Sequence, residues 1–131
     1  VSEAAEFTVD NGAATPVAIT FKPETVAGGT AVFRDESEAS FVLMPRLKVR
    51  TTLSNATRPT NRTEVTLTYP VKKTVDGVDV VDYTNRADFS VAFHERTPLS
   101  VRQDMIALIT NAVLNDGPIK DAVVKVSPVW G

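Results

Sequence analysis

Between residues 46 and 53, basic and hydroxyl side chains take every second position. Arg46, Lys48, Arg50 and Thr52 would project to one side of an extended strand, and Leu47, Val49, Thr51 and Leu53 to the other. Residues 62–69 repeat the pattern, with Arg62, Glu64, Thr66 and Thr68 alternating with Thr63, Val65, Leu67 and Tyr69. A third run sets Arg86, Asp88, Ser90 and Ala92 against Ala87, Phe89, Val91 and Phe93. Cations at alternate positions of adjacent strands can track phosphates. Threonine hydroxyls and a guanidinium plane can bond to, or stack on, unpaired bases. No aromatic side chain lies on that polar face, which argues against an ordinary stacking platform for single strands.

The charge distribution points the same way. The chain has 131 residues with 14 basic and 16 acidic groups. Residues 1–43 carry −5, residues 44–73 carry +6 and residues 74–131 carry −3. A basic block inside an acidic protein suggests one face tuned for a polyanion. On charge alone, a basic but merely solvated strand face is the competing reading.

Other chemistry is poorly represented. With no cysteine, thiolate metal sites, disulfides and cysteine nucleophiles are excluded. The single histidine, His94, lies in His94-Glu95-Arg96 at a strand end and reads as a surface or capping residue rather than an acid–base catalyst. Asp35-Glu36-Ser37-Glu38 lacks the glycine and following bidentate acid of a cation loop and is expected to be a solvated acidic loop. Neither a Gly-rich phosphate loop nor a nucleophile elbow occurs. Asn55-Ala56-Thr57 and Asn61-Arg62-Thr63 match the glycosylation acceptor pattern, a match read as accidental. No cofactor, metal, membrane or small-molecule substrate is expected. The chain is expected to be soluble, and most simply intracellular.

The elements that carry these residues follow from periodicity. Phe7 and Val9, then Val17, Ile19 and Phe21, flank Asp10-Asn11-Gly12 and predict an N-terminal β-hairpin ending at Lys22-Pro23. Thr30–Arg34 is a short strand after Gly28-Gly29, and the three alternating runs supply three more. Pro70 is expected to end the run that begins at Arg62. Strands with one apolar and one polar face make an antiparallel sheet, covered on one side and wet on the other. Thr97-Pro98, or Ser100 with Gln103 at capping-box spacing, starts a helix. Its wide stripe includes Val101, Met105, Ile106, Leu108, Ile109, Ala112 and Val113, read as core or interface. Asn115-Asp116-Gly117-Pro118 stops it, Lys120–Val126 forms one or two further turns, and Val129-Trp130-Gly131 is a tail. The expected class is α+β, a single domain over residues 1–131.

In this order and spacing the chain resembles the coat proteins of the single-stranded RNA bacteriophages, over nearly its whole length. The resemblance rests on Asp10-Asn11-Gly12, Tyr69-Pro70, Thr74-Val75-Asp76-Gly77-Val78, Phe93-His94-Glu95-Arg96 and Asn115-Asp116-Gly117-Pro118-Ile119. It implies an N-terminal hairpin, a five-stranded antiparallel sheet, and two C-terminal α-helices that interlock with a dimer partner. It also implies closure of homodimers into an icosahedral shell that packages genomic RNA on the inner sheet face. One dimer would grip an RNA hairpin and repress replicase translation. The location implied is the virion, with the host bacterial cytoplasm during assembly.

Carried over by position, the RNA-facing residues would be Thr30, Lys48, Arg50, Glu64, Thr66, Arg86 and Asp88, with Arg46, Thr52, Arg62 and Ser90 beside them. Lys48, Arg50 and Glu64 stand where well-studied members have small hydroxyl residues lining an adenine pocket, and Arg86 stands where a tyrosine stacks. Arginine can still stack through its planar guanidinium, but the hairpin sequence recognised does not transfer. The loop lining the symmetry axes would be Val71, Lys72, Lys73, Thr74, Val75, Asp76, Gly77, Val78, Asp79, Val80, Val81 and Asp82. Two readings from other classes stand beside this one: a dimeric RNA-binding regulator that never assembles, and a small α+β enzyme.

Overall fold

The computed structural model describes residues 3–129, so Trp130 and Gly131 of the expected tail lie outside the described residues. The chain forms two compact units, one reaching Ala92 and one beginning at Phe93. The first is an antiparallel sheet of six strands in sequential order: β1 (Phe7–Asp10), β2 (Ala18–Ala27), β3 (Thr30–Asp35), β4 (Arg46–Thr52), β5 (Thr60–Val75) and β6 (Val78–His94). The second holds α1 (Leu99–Leu114) and α2 (Pro118–Val124). The α+β class and the order of elements are as expected from the sequence.

Several boundaries differ from expectation. The N-terminal hairpin is part of the sheet, because β2 continues past Lys22-Pro23 to Ala27 and pairs with β3. A register shift between Pro23 and Thr25 accommodates the proline, which has no N–H to give the ladder. Gly28 and Gly29, both at positive φ, then close a two-residue turn between Ala27 and Thr30. A Cβ on Gly29 would come within 3.2 Å of the Thr51 carbonyl oxygen, so that approach also needs glycine.

Pro70 does not end β5, and the segment expected as the loop Val71–Asp82 is mostly strand. Only Asp76 and Gly77 turn, at φ 52° and 77°, the two positive values that a hairpin turn matching strand twist requires. Ion pairs lace the two arms, Lys72 to Asp79 at 3.8 Å and Lys73 to Asp82 at 3.6 Å, and Thr74 Oγ1 donates to Asp79 at 2.7 Å. The α1 helix begins at Leu99 with Pro98 before it and no side-chain cap, so neither Thr97 nor Ser100 caps it. The α2 helix starts two residues earlier than expected, with Pro118 in its first turn.

The core of the sheet unit is small. Among the described residues its buried apolar side chains are Phe21, Phe33, Leu43 and Pro45. Phe7 stacks on Phe21 at 5.5 Å between centroids and meets Phe33 edge-on at 5.1 Å. Register carries this apolar row onward from Phe33 to Leu47 and Leu67. The helical unit buries none of the side chains of α1.

Candidate nucleic-acid interface

Strand pairing puts the predicted polar residues on one face and in rows. Thr30 lies opposite Arg50, which lies opposite Glu64. Lys48 pairs with Thr66, and Thr52 with Arg62. Hydrogen bonds carry the rows onto β6: Thr66 Oγ1 donates to Asp88 at 3.0 Å, and Arg62 Nε donates to Ser90 Oγ at 3.1 Å. Arg86 Nε donates to both oxygens of Asp88 at 3.1 Å, and its side chain is 67% exposed. The structure therefore brings Thr30, Arg46, Lys48, Arg50, Thr52, Arg62, Glu64, Thr66, Arg86, Asp88 and Ser90 onto one sheet face.

Their chemical freedom is unequal. Arg46 Nε donates to Glu24 at 3.0 Å, while its two terminal nitrogens donate to the carbonyls of Met44 and Phe41. Its guanidinium also lies 4.1 Å from the Phe41 ring centroid. Arg46 thus holds the helical turn at Phe41–Leu43 against the sheet and has little left to offer a ligand. Beside it, Glu24 lies 4.0 Å from Arg34, and Arg34 donates to Glu36 at 3.0 Å. That bond, with the Lys22 and Arg34 charges nearby, holds the Glu36 carboxyl below its ordinary value against the opposing effect of desolvation. By contrast, neither Lys48 nor Arg50 has an ion-pair partner among the described residues.

The acidic stretch 35–38 is not simply solvated. Asp35 is buried and accepts bonds from the Ser37 backbone N–H and hydroxyl, both at 3.0 Å. Glu36 pairs with Arg34 and Lys22, and Glu38 with Lys72 at 3.3 Å. His94 Nδ1 accepts the Arg96 backbone N–H at 3.2 Å, the capping type of role expected for it.

One part of the face was not legible in the alternation. At the end of the β4–β5 hairpin, a cleft of about 460 Å³ is lined by Arg50, Thr52, Arg58, Thr60, Arg62, Glu64 and Ala92. Arg58 and Thr60 lie in or beside the connecting loop, where period-two reasoning is silent. Asn55 shapes that loop: its Oδ1 accepts the Thr57 N–H, the Thr57 hydroxyl and the Arg58 N–H. Arg58 then donates to the Leu53 carbonyl at 2.9 Å, and Asn61 Oδ1 accepts the Ser54 N–H at 2.7 Å. The signal for this was the pair of Asn-x-Thr patterns, whose asparagines organise the loop.

With this geometry in place, comparison with known proteins is decisive at the level of family. The family model described as levivirus coat protein matches residues 2–130. The chain belongs to the levivirus coat protein family. Among solved structures, this coat protein is similar to that of the virus-like particle of bacteriophage NT-214, with a TM-score of 0.85 at 20% identity, covering 98% of this chain and 100% of that one. The virus-like particle of Beihai levi-like virus 21 gives 0.84 at 22% identity, over 99% and 100%. The bacteriophage GA capsid protein gives 0.75 at 19%, over 98% of each. By sequence, no curated protein matches. As a coat protein, the chain is a structural capsid subunit and a component of the virion.

Proposed function

We propose that this coat protein assembles as homodimers into an icosahedral shell in the host bacterial cytoplasm. In this reading it packages single-stranded genomic RNA on the polar sheet face, and a dimer binds an RNA hairpin to repress replicase translation. The observation that carries the RNA reading is the unequal use of cations on that face. Nearly every other basic group of the sheet is spent on a carboxylate, whereas Lys48 and Arg50 stand uncommitted among hydroxyl groups. Uncommitted cations in a row are what a phosphate chain needs. Thr30, Thr52 and Thr66 supply neutral donors beside them, and the exposed Arg86 side chain supplies a guanidinium for stacking.

Two observations support the dimer. Strand β6 lies at the sheet edge with residues 82–90 exposed, and α1 presents Val101, Met105, Leu108 and Ile109 to solvent. A long free edge and an apolar helix stripe are what a second subunit covers. The Val71–Asp82 arms, stiffened by their ion pairs, then serve as contacts between dimers around the symmetry axes.

Size-exclusion chromatography of the expressed protein, read at 260 and 280 nm, tests the proposal. Void-volume particles with a nucleic-acid spectrum, uniform by negative stain, are expected. An RNA-free dimer that still binds hairpins would instead favour a non-assembling regulator, and an RNA-free monomer would refute both dimer and packaging.

A further inference from the structure

A carboxylate in the middle of a phosphate-binding face is a liability unless it reads something. Glu64 occupies that position. It is half-exposed, it lies directly opposite Arg50 across the β4–β5 pair, and its nearest cation is Arg62 at 3.7 Å on its own strand. Arg50 makes no ion pair among the described residues although a carboxylate faces it in register. The two side chains line the same cleft, whose volume is in the range that holds a small organic ligand. Arg62 is tied to Ser90, and Arg58 to the Leu53 carbonyl, so both stand fixed at its margin.

We infer that this cleft selects an unpaired guanine base. Guanine presents two adjacent donors, N1–H and the N2 amino group, next to the acceptors O6 and N7. Glu64 accepts from the two donors and Arg50 donates to the acceptors, the pairing that a guanidinium fork makes with guanine. Arg58, which has no carboxylate partner among the described residues, takes the flanking phosphate at the cleft margin. Adenine offers no donor at N1 and puts an amino group where O6 would be, so in the same pose Glu64 loses both of its donors and Arg50 keeps N7 alone. Cytosine offers a single amino group to Glu64 and so cannot engage the carboxylate with two donors.

The inference rests on the RNA-binding reading, and its test separates the two. Binding of the full-length protein to UUGUU, UUAUU, UUCUU and UUIUU (I, inosine) is measured by fluorescence anisotropy at several salt concentrations. The guanine oligomer is expected to bind about tenfold or more tighter than the adenine one, with inosine between them because it lacks the N2 amino group. Glu64→Gln should reduce that preference to less than about twofold while raising affinity for the adenine oligomer, since a negative charge leaves the path of the phosphates. Arg50→Lys, which keeps the charge and loses the fork, should also lose the preference. Equal, salt-dependent binding of all four oligomers overturns guanine selection and leaves RNA binding standing. A preference for cytosine or adenine overturns it too. Binding of none of them, even at low salt, overturns the guanine inference together with the RNA reading.

Discussion

Removing Lys48 should alter RNA binding in a way that its neighbour Arg46 cannot imitate. Lys48 is exposed, sits opposite Thr66 and makes no ion pair among the described residues, so Lys48→Ala strips none of their carboxylates of a partner and should hardly change stability. If a dimer grips one hairpin with both copies, two phosphate contacts disappear. Each contact contributes about 0.7–0.9 to the slope of log K against log salt. The slope should therefore fall by about 1.5, and affinity at 0.1 M salt should fall about 25- to 60-fold, with little difference on extrapolation to 1 M. Filter binding or anisotropy of an RNA hairpin across a salt series measures both quantities. An unchanged slope with unchanged affinity would mean that RNA lies on another surface. A loss of affinity that persists equally at 1 M salt would mean that Lys48 contributes packing or a base contact rather than phosphate neutralisation.

The other predictions concern the scaffold. Arg46→Ala should destabilise the protein by about 2 kcal/mol in denaturant titrations while leaving the salt slope of RNA binding intact, because it strips a largely buried Glu24 and the Phe41 turn of their shared partner. Leu108→Asp replaces a side chain that is 71% exposed within the chain, so far-UV dichroism should be preserved while sedimentation shows loss of the dimer. Gly77→Ala forces a side chain into a left-handed turn at a cost of about 1 kcal/mol; dimers should persist while negative stain shows fewer closed shells, and normal shells would count against the hairpin tip as an inter-dimer contact. For Glu36, whose carboxyl is held below its unfolded value, the stabilisation is present above about pH 4.5 and disappears as pH falls through the lowered value. Wild type and Glu36→Gln should accordingly differ in stability near neutrality and converge in acid.

The polar face was legible because side-chain alternation is a local property of strands: once residues 46–52 are extended, Lys48 and Arg50 must share a side. The strand ends were less legible. Pro23 and Pro70 read as terminators, yet Pro23 is absorbed by a register shift and Pro70 sits within β5, while paired charges such as Lys73–Asp82 extend the hairpin beyond it. Those pairings join residues whose separation depends on where the turn falls; Val75-Asp76-Gly77-Val78 carries a tight-turn signal in the sequence, and the positive φ values of Asp76 and Gly77 place the turn there. Arg46 illustrates the other limit. Alternation puts it beside Lys48, but its role depends on Glu24 and Phe41, which are distant in sequence and brought near by the sheet and the turn before β4. Face is periodic information; engagement is tertiary information.

The distribution of buried groups bears on why the fold suits a shell. A chain whose sheet buries Phe21, Phe33 and Leu43 and whose longer helix buries nothing has little to hold it together as an isolated monomer. Its stabilising apolar area is still unspent, on α1 and along the β6 edge. If a second copy takes up that area, folding free energy and association free energy become one quantity, and stability must rise with protein concentration. Such a subunit would tolerate exchange of surface cations for recognition, because the polar face contributes little to the core. It would not tolerate polar substitution on the helix stripe. RNA specificity could then change among coat proteins of one fold while the assembling surfaces stay apolar, a division already visible here between the Lys48–Arg50–Glu64 face and the Val101–Leu108 stripe.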